Sequence, residues 1–249
     1  MMIKIKQFNV YHRNRSELNR IRKEIFVNEE YKFVSGNKRP FIIDCGSHIG
    51  LSILYFKNIY PRAEILGFEP NPENFKILQK NVKVNKLRNV RTVNAALSDK
   101  DGEGFLRTDF EERKPWTWGD TIVKNMWGSE DDSKKIKIKT ARLSKYIDKP
   151  VDLLKLDIEG SEQKVLEDIE SKLRFVEQIN MEFHGTSANR KVNSYKVIKK
   201  LLKDNGLKVK TCSKGNGLPF FDFVMRLQGK KIFTVIAVKQ PSFQGTKIS

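Results

Sequence analysis

The segment that decides the fold is FIIDCGSHIG, residues 41–50. Its first five residues form a short apolar run, which is typical of a strand buried on both faces of a parallel sheet. Glycines follow at positions 46 and 50, and the apolar run 51–56 then predicts a helix. A strand, a glycine turn and a helix in this order expose backbone N–H groups at a helix N-terminus, where open α/β sheets bind ligands.

The alternation of strands and helices continues along the chain. Further strands are predicted at residues 64–69, 90–97, 151–157 and 175–183, and helices at residues 73–84, 161–169 and 194–203. The last two predicted strands, 207–212 and 232–238, have no helical pattern between them, so we expect an antiparallel pair at one edge of the sheet. The chain is therefore predicted to be α/β, with a doubly wound, seven-stranded and mostly parallel sheet.

Two segments fall outside this alternation. Residues 1–38 are predicted to be a basic N-terminal arm with a short helix at 17–29 capped by Ser16, and residues 39–249 the sheet domain. Residues 102–140 are longer than one crossover helix needs, and their strand-like ends predict a hairpin insertion. All three tryptophans, Trp116, Trp118 and Trp127, lie in this insertion. They favour a lid that stacks on a substrate, or else packing against the sheet edge.

The charge of the chain is concentrated at its two ends. The net charge is +18, and residues 1–40 carry ten basic and four acidic residues, residues 186–249 fourteen and two. Basic flanks favour an anionic partner, although a solvated lysine surface explains them equally well. No apolar run reaches the roughly 18–20 residues of a membrane span and no signal peptide is apparent. With Cys45 expected as a free buried thiol, the sequence suggests a cytoplasmic protein.

The glycine turn and the strand that follows it predict a nucleoside site. The pattern Asp44-x-Gly46-x-x-x-Gly50 has one glycine fewer than the dinucleotide fingerprint, which suits a ligand without a pyrophosphate, such as S-adenosylmethionine. Glu69 ends the second strand, where a carboxylate accepts hydrogen bonds from ribose hydroxyls, and Pro70 fixes the turn beside it. The small residues around Asn94 and Ala95 leave room for an adenine ring, although an ordinary strand end followed by a turn would have the same sequence pattern.

Acidic residues and a histidine are predicted to meet at the ends of the fourth and fifth strands. Asp157 and Glu159 end one strand, whereas Glu182 and His184 share one face of the next. This is an acid–base cluster in which Asp157 and His184 are candidate general bases. Asp157, Glu182 and His184 have the residue types for a divalent metal, but a hydrogen-bonded structural histidine is favoured, so no metal site is predicted. His12 and His48 are expected to be incidental.

Four segments together resemble the FkbM family of methyltransferases: IDCGSHIG, GFEPNPENF, NAALSD and LLKLDIEGSE. The resemblance runs from about residue 41 to residue 184 and includes the closing strands. It implies the class I methyltransferase (Rossmann-like) fold, with strand order 3-2-1-4-5-7-6 and the seventh strand antiparallel. It also implies S-adenosylmethionine as the methyl donor and, usually, a hydroxyl oxygen as the acceptor.

The resemblance further implies a role for each matching position. The positions for the methionine end of the cofactor are Asp44, Gly46 and Gly50. Those for the ribose are Glu69 and Asn71, with Pro70 beside them, and those near the adenine are Asn94 and Ala95. Asp157 and Glu159 would face the methionine amine and the acceptor.

The leading hypothesis is an O-methyltransferase acting on a small molecule, sugar or glycan, with a negatively charged acceptor among the candidates. The alternative is an RNA methyltransferase that uses the basic flanks. A non-catalytic ligand-binding domain is disfavoured by the intact Asp44, Glu69 and Asp157. A nicotinamide-dependent oxidoreductase is disfavoured by the missing glycine.

Overall fold

The architecture was obtained as a computed structural model, which describes residues 1–108, 117, 119–124, 126, 134–187, 189–213 and 230–240. The strands are β1 (Met2–Ile5), β2 (Phe8–Tyr11), β3 (Phe41–Cys45), β4 (Glu64–Phe68), β5 (Val90–Val93), β6 (Ala96–Leu97), β7 (Gly102–Thr108), β8 (Lys134–Ala141), β9 (Leu153–Leu156), β10 (Gln178–Thr186), β11 (Leu207–Ser213) and β12 (Lys230–Lys239). The α-helices are α1 (Arg15–Arg22), α2 (Leu51–Ile59), α3 (Pro72–Val84), α4 (Glu162–Asp168) and α5 (Tyr195–Asp204).

The main sheet has seven strands in the order β11-β12-β10-β9-β3-β4-β5. Strands β5, β4, β3, β9 and β10 run parallel, and β12 is antiparallel to both β10 and β11. Numbered within the sheet, this is the expected order 3-2-1-4-5-7-6. The predicted class I methyltransferase topology is therefore confirmed, including the antiparallel pair at one edge.

Two hydrophobic cores cover the two faces of this sheet. Side chains that alternate along β3 divide between them, because successive residues of a strand point to opposite faces. Ile43 belongs to the core beneath α4 and α5, and Ile42 to the core beneath α2. The second core also contains Ile5, Val10 and Leu18 from the N-terminal segment. The segment before β3 is thus packed into the same domain as the sheet.

The N-terminal hairpin β1–β2 is tied to α3 by amide side chains. Asn81 accepts from the backbone N–H of Tyr11 at 2.7 Å and donates to its carbonyl at 3.0 Å. Asn85, one helical turn later, makes the same pair of bonds to Asn9, both at 2.8 Å. Each asparagine therefore replaces a neighbouring strand along the edge of β2.

Two of the differences from the sequence prediction have identifiable reasons. Helix α1 begins after Asn14, whose side chain accepts from two backbone N–H groups of the first turn, so the predicted cap at Ser16 is wrong. The predicted strand 90–97 is broken into β5 and β6. Between them, Asn94 donates to the carbonyls of Glu69 and Pro70, and the chain then leaves the main sheet to pair with β8.

The insertion after β6 forms the predicted hairpin. Strands β7 and β8 pair antiparallel from Gly102 with Thr140 to Thr108 with Lys134. The three tryptophans, Trp116, Trp118 and Trp127, lie outside the described residues. Cys45 is a buried free thiol, as predicted, and burial raises its pKa well above the usual range. Among the described helices, none combines the length and apolar character needed to cross a bilayer.

Candidate active site

The predicted site residues converge at one edge of the main sheet, because the carboxyl ends of parallel strands lie side by side. Asp44 lies in β3, and the glycine turn follows that strand. Glu69 follows β4, Asp157 follows β9, and His184 lies near the end of β10. This edge of the sheet, which we call the crevice, is where open α/β sheets bind ligands.

The glycine turn is shaped by a close approach between two strand ends. Gly46 has a φ of +89°, and a Cβ there would lie 1.9 Å from the carbonyl oxygen of Asp157. Gly50, with a φ of +92°, precedes the first turn of α2. Both positions therefore require glycine, and the turn lies directly against the end of β9.

A buried ion cluster supports this turn from below. Asp44 is fully buried and accepts from the hydroxyl of Ser52 at 2.5 Å. The ammonium group of Lys155 lies 3.3 Å from Asp44 and 3.5 Å from Asp157, and it donates to the carbonyl of Gly46 at 2.6 Å. Burial alone would lower the pKa of Lys155, but the two carboxylates outweigh it and raise that pKa. The carboxylate of Asp44 is therefore held by buried partners next to the turn, and its assignment to the methionine end of the cofactor stays a prediction.

Glu69 lies at the rim of the crevice and orients both turns beside it. Its Oε2 accepts from the backbone N–H of His48 at 2.8 Å, and its Oε1 accepts from that of Asn71 at 2.9 Å. Burial raises the pKa of Glu69. Each carboxylate oxygen has a second acceptor position. Ala95 is buried at the break after β5.

The N-terminal helix and the insertion meet over this rim. Oε1 of Glu17, from α1, accepts from the backbone N–H of Thr117 at 2.7 Å. Nε2 of His48 lies 2.8 Å from the hydroxyl of Thr117. Asn71 donates to Asp120 at 2.6 Å. His48, for which no role was expected, thus connects the glycine turn to the insertion.

The acid–base cluster lies on the other side of the crevice. The hydroxyl of Tyr31 donates to Oδ2 of Asp157 at 2.9 Å. Nε2 of His184 lies 3.2 Å from Glu182 Oε1, 3.5 Å from Glu159 Oε2 and 4.0 Å from Asp157 Oδ1. Desolvation alone would lower the pKa of His184, but the surrounding carboxylates outweigh it and raise that pKa well above its usual value. His184 is enclosed by these carboxylates, whereas Asp157 lies directly against the glycine turn, so Asp157 is the better candidate for the general base.

The comparisons with known proteins agree with this geometry. Residues 44–209, more than half of the chain, match the model of the methyltransferase FkbM domain. The chain belongs to the FkbM methyltransferase family. It is an S-adenosylmethionine-dependent methyltransferase, as the resemblance implied.

Relatives of this FkbM methyltransferase extend over most of the chain. It is 30% identical to methyltransferase sdnD of Sordaria araneosa over 69% of this chain and 76% of that protein. It is 29% identical to methyltransferase 1 of Beauveria bassiana over 63% of this chain and 69% of the other. The fold resembles the crystal structure of an FkbM methyltransferase from Methylobacillus flagellatus, with a TM-score of 0.51, 13% identity and 83% of this chain covered. The chain spans 45% of the length of that crystallised chain.

The crevice of this FkbM methyltransferase fits S-adenosylmethionine at the ribose position. The remaining acceptor positions of Glu69 suit two ribose hydroxyls, and the backbone bonds to His48 and Asn71 hold the carboxylate at the rim. The glycine turn places backbone close to the crevice without a side chain in between. The groups over the rim, Glu17 and Asp120, were not predicted, because they come from the arm and the insertion.

Asp120 is expected to make the stability of this FkbM methyltransferase depend on pH. Burial raises the pKa of Asp120 to about 8. Because this exceeds the pKa of an unfolded aspartate, about 3.9, the folded state binds more protons between those two values, and stability falls as pH rises through that window. Asp120→Asn is therefore expected to melt at a higher temperature than wild type at pH 8, with a difference that shrinks toward pH 5. Thermal melts across this range check it. Asp204→Asn, on the surface of α5, should show no such trend, and a constant difference for Asp120→Asn would contradict the assignment.

Tyr31 contacts the candidate base, and the sequence did not reveal this contact. Its hydroxyl bond to Asp157 joins the arm to the end of β9. Tyr31→Phe removes a hydrogen bond to a charged group, which contributes about 1.5 kcal/mol, so kcat is expected to fall about tenfold with little change in affinity for S-adenosylmethionine. Steady-state kinetics and calorimetry separate the two effects. Tyr60→Phe, which alters a tyrosine that accepts from Ser35, is the matched control. Equal losses in both variants would show that the effect is only structural.

Proposed function

We propose that this enzyme is an O-methyltransferase that methylates a hydroxyl on a small molecule, sugar or glycan, with a negatively charged acceptor favoured. The observation that carries the proposal is the position of Asp157. It is a carboxylate at the crevice, beside the glycine turn and oriented by Tyr31 and Lys155. A hydroxyl has a high pKa, so its methylation benefits from a general base at this place.

In the proposed mechanism, one side of the crevice binds the cofactor and the other side binds and deprotonates the acceptor. S-adenosylmethionine supplies, when bound, an electrophilic methyl group on its sulfonium. Glu69 binds the ribose, and Gly46 and Gly50 shape the turn beside the methionine end. Asp157 accepts the proton of the acceptor hydroxyl. The hydroxyl oxygen of the acceptor then bonds to the methyl carbon, as the bond between the sulfonium sulfur and that carbon breaks. Glu159 and His184 complete the acid–base cluster around Asp157.

The insertion, residues 102–140, is proposed to act as a lid over the acceptor. Its described residues contact the site at two points besides Thr117 and Asp120. The hydroxyl of Thr121 donates to the carbonyl of Glu159 at 2.6 Å. Met126 packs so closely against Gly160 that a Cβ there would lie 2.8 Å from its sulfur. A lid in this position would exclude water from the reacting groups.

The preference for an anionic acceptor, and the alternative of RNA, both rest on the positive charge of the C-terminal part of the chain. Exposed lysines on α5 and β11 include Lys196, Lys199, Lys203, Lys208 and Lys210. An RNA methyltransferase that neutralises phosphates with these residues would lose affinity steeply with salt. Binding of RNA with a steep salt slope, together with methyl transfer to RNA, would favour the alternative.

A direct test of the proposed function is to follow the methyl group. The enzyme is incubated with S-adenosylmethionine carrying an isotope-labelled methyl group and with paired acceptors that differ only in one hydroxyl, alongside total RNA. We expect turnover with the hydroxyl member of a pair and a methoxy carbon in the product by NMR. Label on nitrogen, on carbon or in RNA would overturn O-methylation of a small molecule.

A further inference from the structure

Three carboxylates and one imidazole nitrogen converge at the ends of β9 and β10. One ligand atom from each of Asp157, Glu182 and His184 lies within 4.8 Å of the other two. Cations of the Mn²⁺ or Mg²⁺ size bind oxygen and nitrogen at about 2.0–2.3 Å, so ligand atoms of one ion lie no more than about 4.5 Å apart. The cluster therefore needs only small shifts to surround a single ion.

A fourth group also favours a cation at this place, independently of those distances. Oε2 of Glu159 is buried and has no hydrogen-bond partner within the described part of the chain. This oxygen lies 3.5 Å from Nε2 of His184, the same nitrogen that Glu182 and Asp157 surround. A buried carboxylate oxygen without a hydrogen bond is costly, and a bound cation would satisfy it.

The groups behind the cluster orient its atoms inward. Nδ1 of His184 lies 3.0 Å from Oε1 of Glu162, which also accepts from the backbone N–H of Gly160 at 3.0 Å. The other carboxylate oxygen of Glu162, Oε2, accepts from the side chain of Asn193. When Nδ1 donates to this carboxylate, the lone pair of Nε2 faces the cluster, an arrangement that recurs behind metal-ligating histidines. Tyr31 engages Oδ2 of Asp157, which directs Oδ1 toward His184.

We propose that Asp157, Glu159, Glu182 and His184 bind one divalent cation of the hard class, Mn²⁺ or Mg²⁺. Three of the four ligands are carboxylate oxygens, which this class prefers, and the one imidazole is a nitrogen ligand that Mn²⁺ accepts. The cation offsets the negative charge that these carboxylates concentrate in a buried place. If the enzyme is the O-methyltransferase proposed above, on which this role rests, the cation lowers the pKa of a coordinated acceptor hydroxyl.

The test uses Mn²⁺ alone, without cofactor or acceptor. The full chain is stripped with EDTA, dialysed and titrated with Mn²⁺ by calorimetry and by EPR, with thermal melts in parallel. We expect one saturable site per chain, a higher melting temperature with Mn²⁺, and displacement of Mn²⁺ by excess Mg²⁺. Glu182→Gln, which keeps the shape and removes the charge, should weaken Mn²⁺ binding by at least about tenfold, since altering even a group behind the ligands costs about 10- to 100-fold. Glu64→Gln, at the opposite end of the sheet, should bind as wild type does.

Two outcomes would overturn the proposal. One is wild-type protein that melts cooperatively and binds no Mn²⁺ at a saturable site. The other is Mn²⁺ binding that is unchanged in both Glu182→Gln and Glu159→Gln. If Glu182→Gln does not fold, Glu159→Gln decides the question, because its side chain is partly exposed. Hydroxyl methylation without Mn²⁺ binding would sink this inference alone, whereas Mn²⁺ binding in an enzyme that methylates nitrogen would sink the proposed function alone.

Discussion

Asp157→Asn is expected to lower kcat by about 10²- to 10⁴-fold, the usual contribution of a general base. Asparagine has the same shape and still accepts the hydrogen bond from Tyr31, so the fold and the crevice should persist. Affinity for S-adenosylmethionine should therefore stay within about threefold of wild type, a difference below roughly 0.7 kcal/mol. Steady-state kinetics at saturating cofactor and calorimetric titration measure the two quantities.

The control for Asp157→Asn is Asp148→Asn, which changes an exposed aspartate before β9 and should leave kcat unchanged. A normal kcat at saturating S-adenosylmethionine combined with a large loss of cofactor affinity would make Asp157 a cofactor ligand and not the base. The same result would remove the main support for O-methylation at this place.

Glu69→Ala should weaken the binding of S-adenosylmethionine by about 100-fold. Two hydrogen bonds to a carboxylate contribute about 1.5 kcal/mol each, and about 3 kcal/mol corresponds to that factor. Glu69→Gln retains one acceptor oxygen and is expected to lose only about tenfold. Calorimetry with S-adenosylmethionine and S-adenosylhomocysteine measures the affinities, and NAD should not bind to either protein.

Thermal melts give a second measurement for Glu69. A ligand at 100 times its dissociation constant stabilises the fold by about 2.7 kcal/mol, so a cofactor concentration that stabilises wild type should leave Glu69→Ala almost unshifted. Because Glu69 also accepts from the backbone of His48 and Asn71, the variant without ligand should melt somewhat lower than wild type. Unchanged affinity in a well-folded Glu69→Ala would place the ribose elsewhere.

The sheet and the position of the crevice were predictable from the sequence. Apolar runs such as 41–45 and 64–68 identify buried strands, and parallel strands with right-handed crossovers leave few orders for them. Glu69 and Asp157 each follow such a run, so their meeting at one edge followed directly from the strand pattern. Glu182 and His184 were assigned to one face by the period of a strand, and both contribute to the observed cluster.

Contacts between distant segments were not predictable from one sequence. Tyr31 and Asp157 are separated by 126 residues, and Glu17 and Thr117 by 100, with no periodic pattern to connect them. Strands β1 and β2 were missed because each is only four residues long, with one polar or charged side chain among apolar ones. The ion pair between Asp44 and Lys155 was also missed, since the two residues lie on different strands.

The pairing of β3 with β9 has a consequence for how the chain acquires its fold. These two central strands are about 110 residues apart in the sequence. The edge of β3 that pairs with β9 therefore has no partner until the ribosome has synthesised β9. At the usual 5–20 residues per second, that interval lasts roughly 5 to 20 s. Closing so large a loop is slow, and an unpaired apolar strand is prone to aggregate meanwhile. Fragments that end before β9 are therefore expected to need a chaperone or to precipitate, and Gly46 can contact the backbone of Asp157 only after residue 157 has been synthesised.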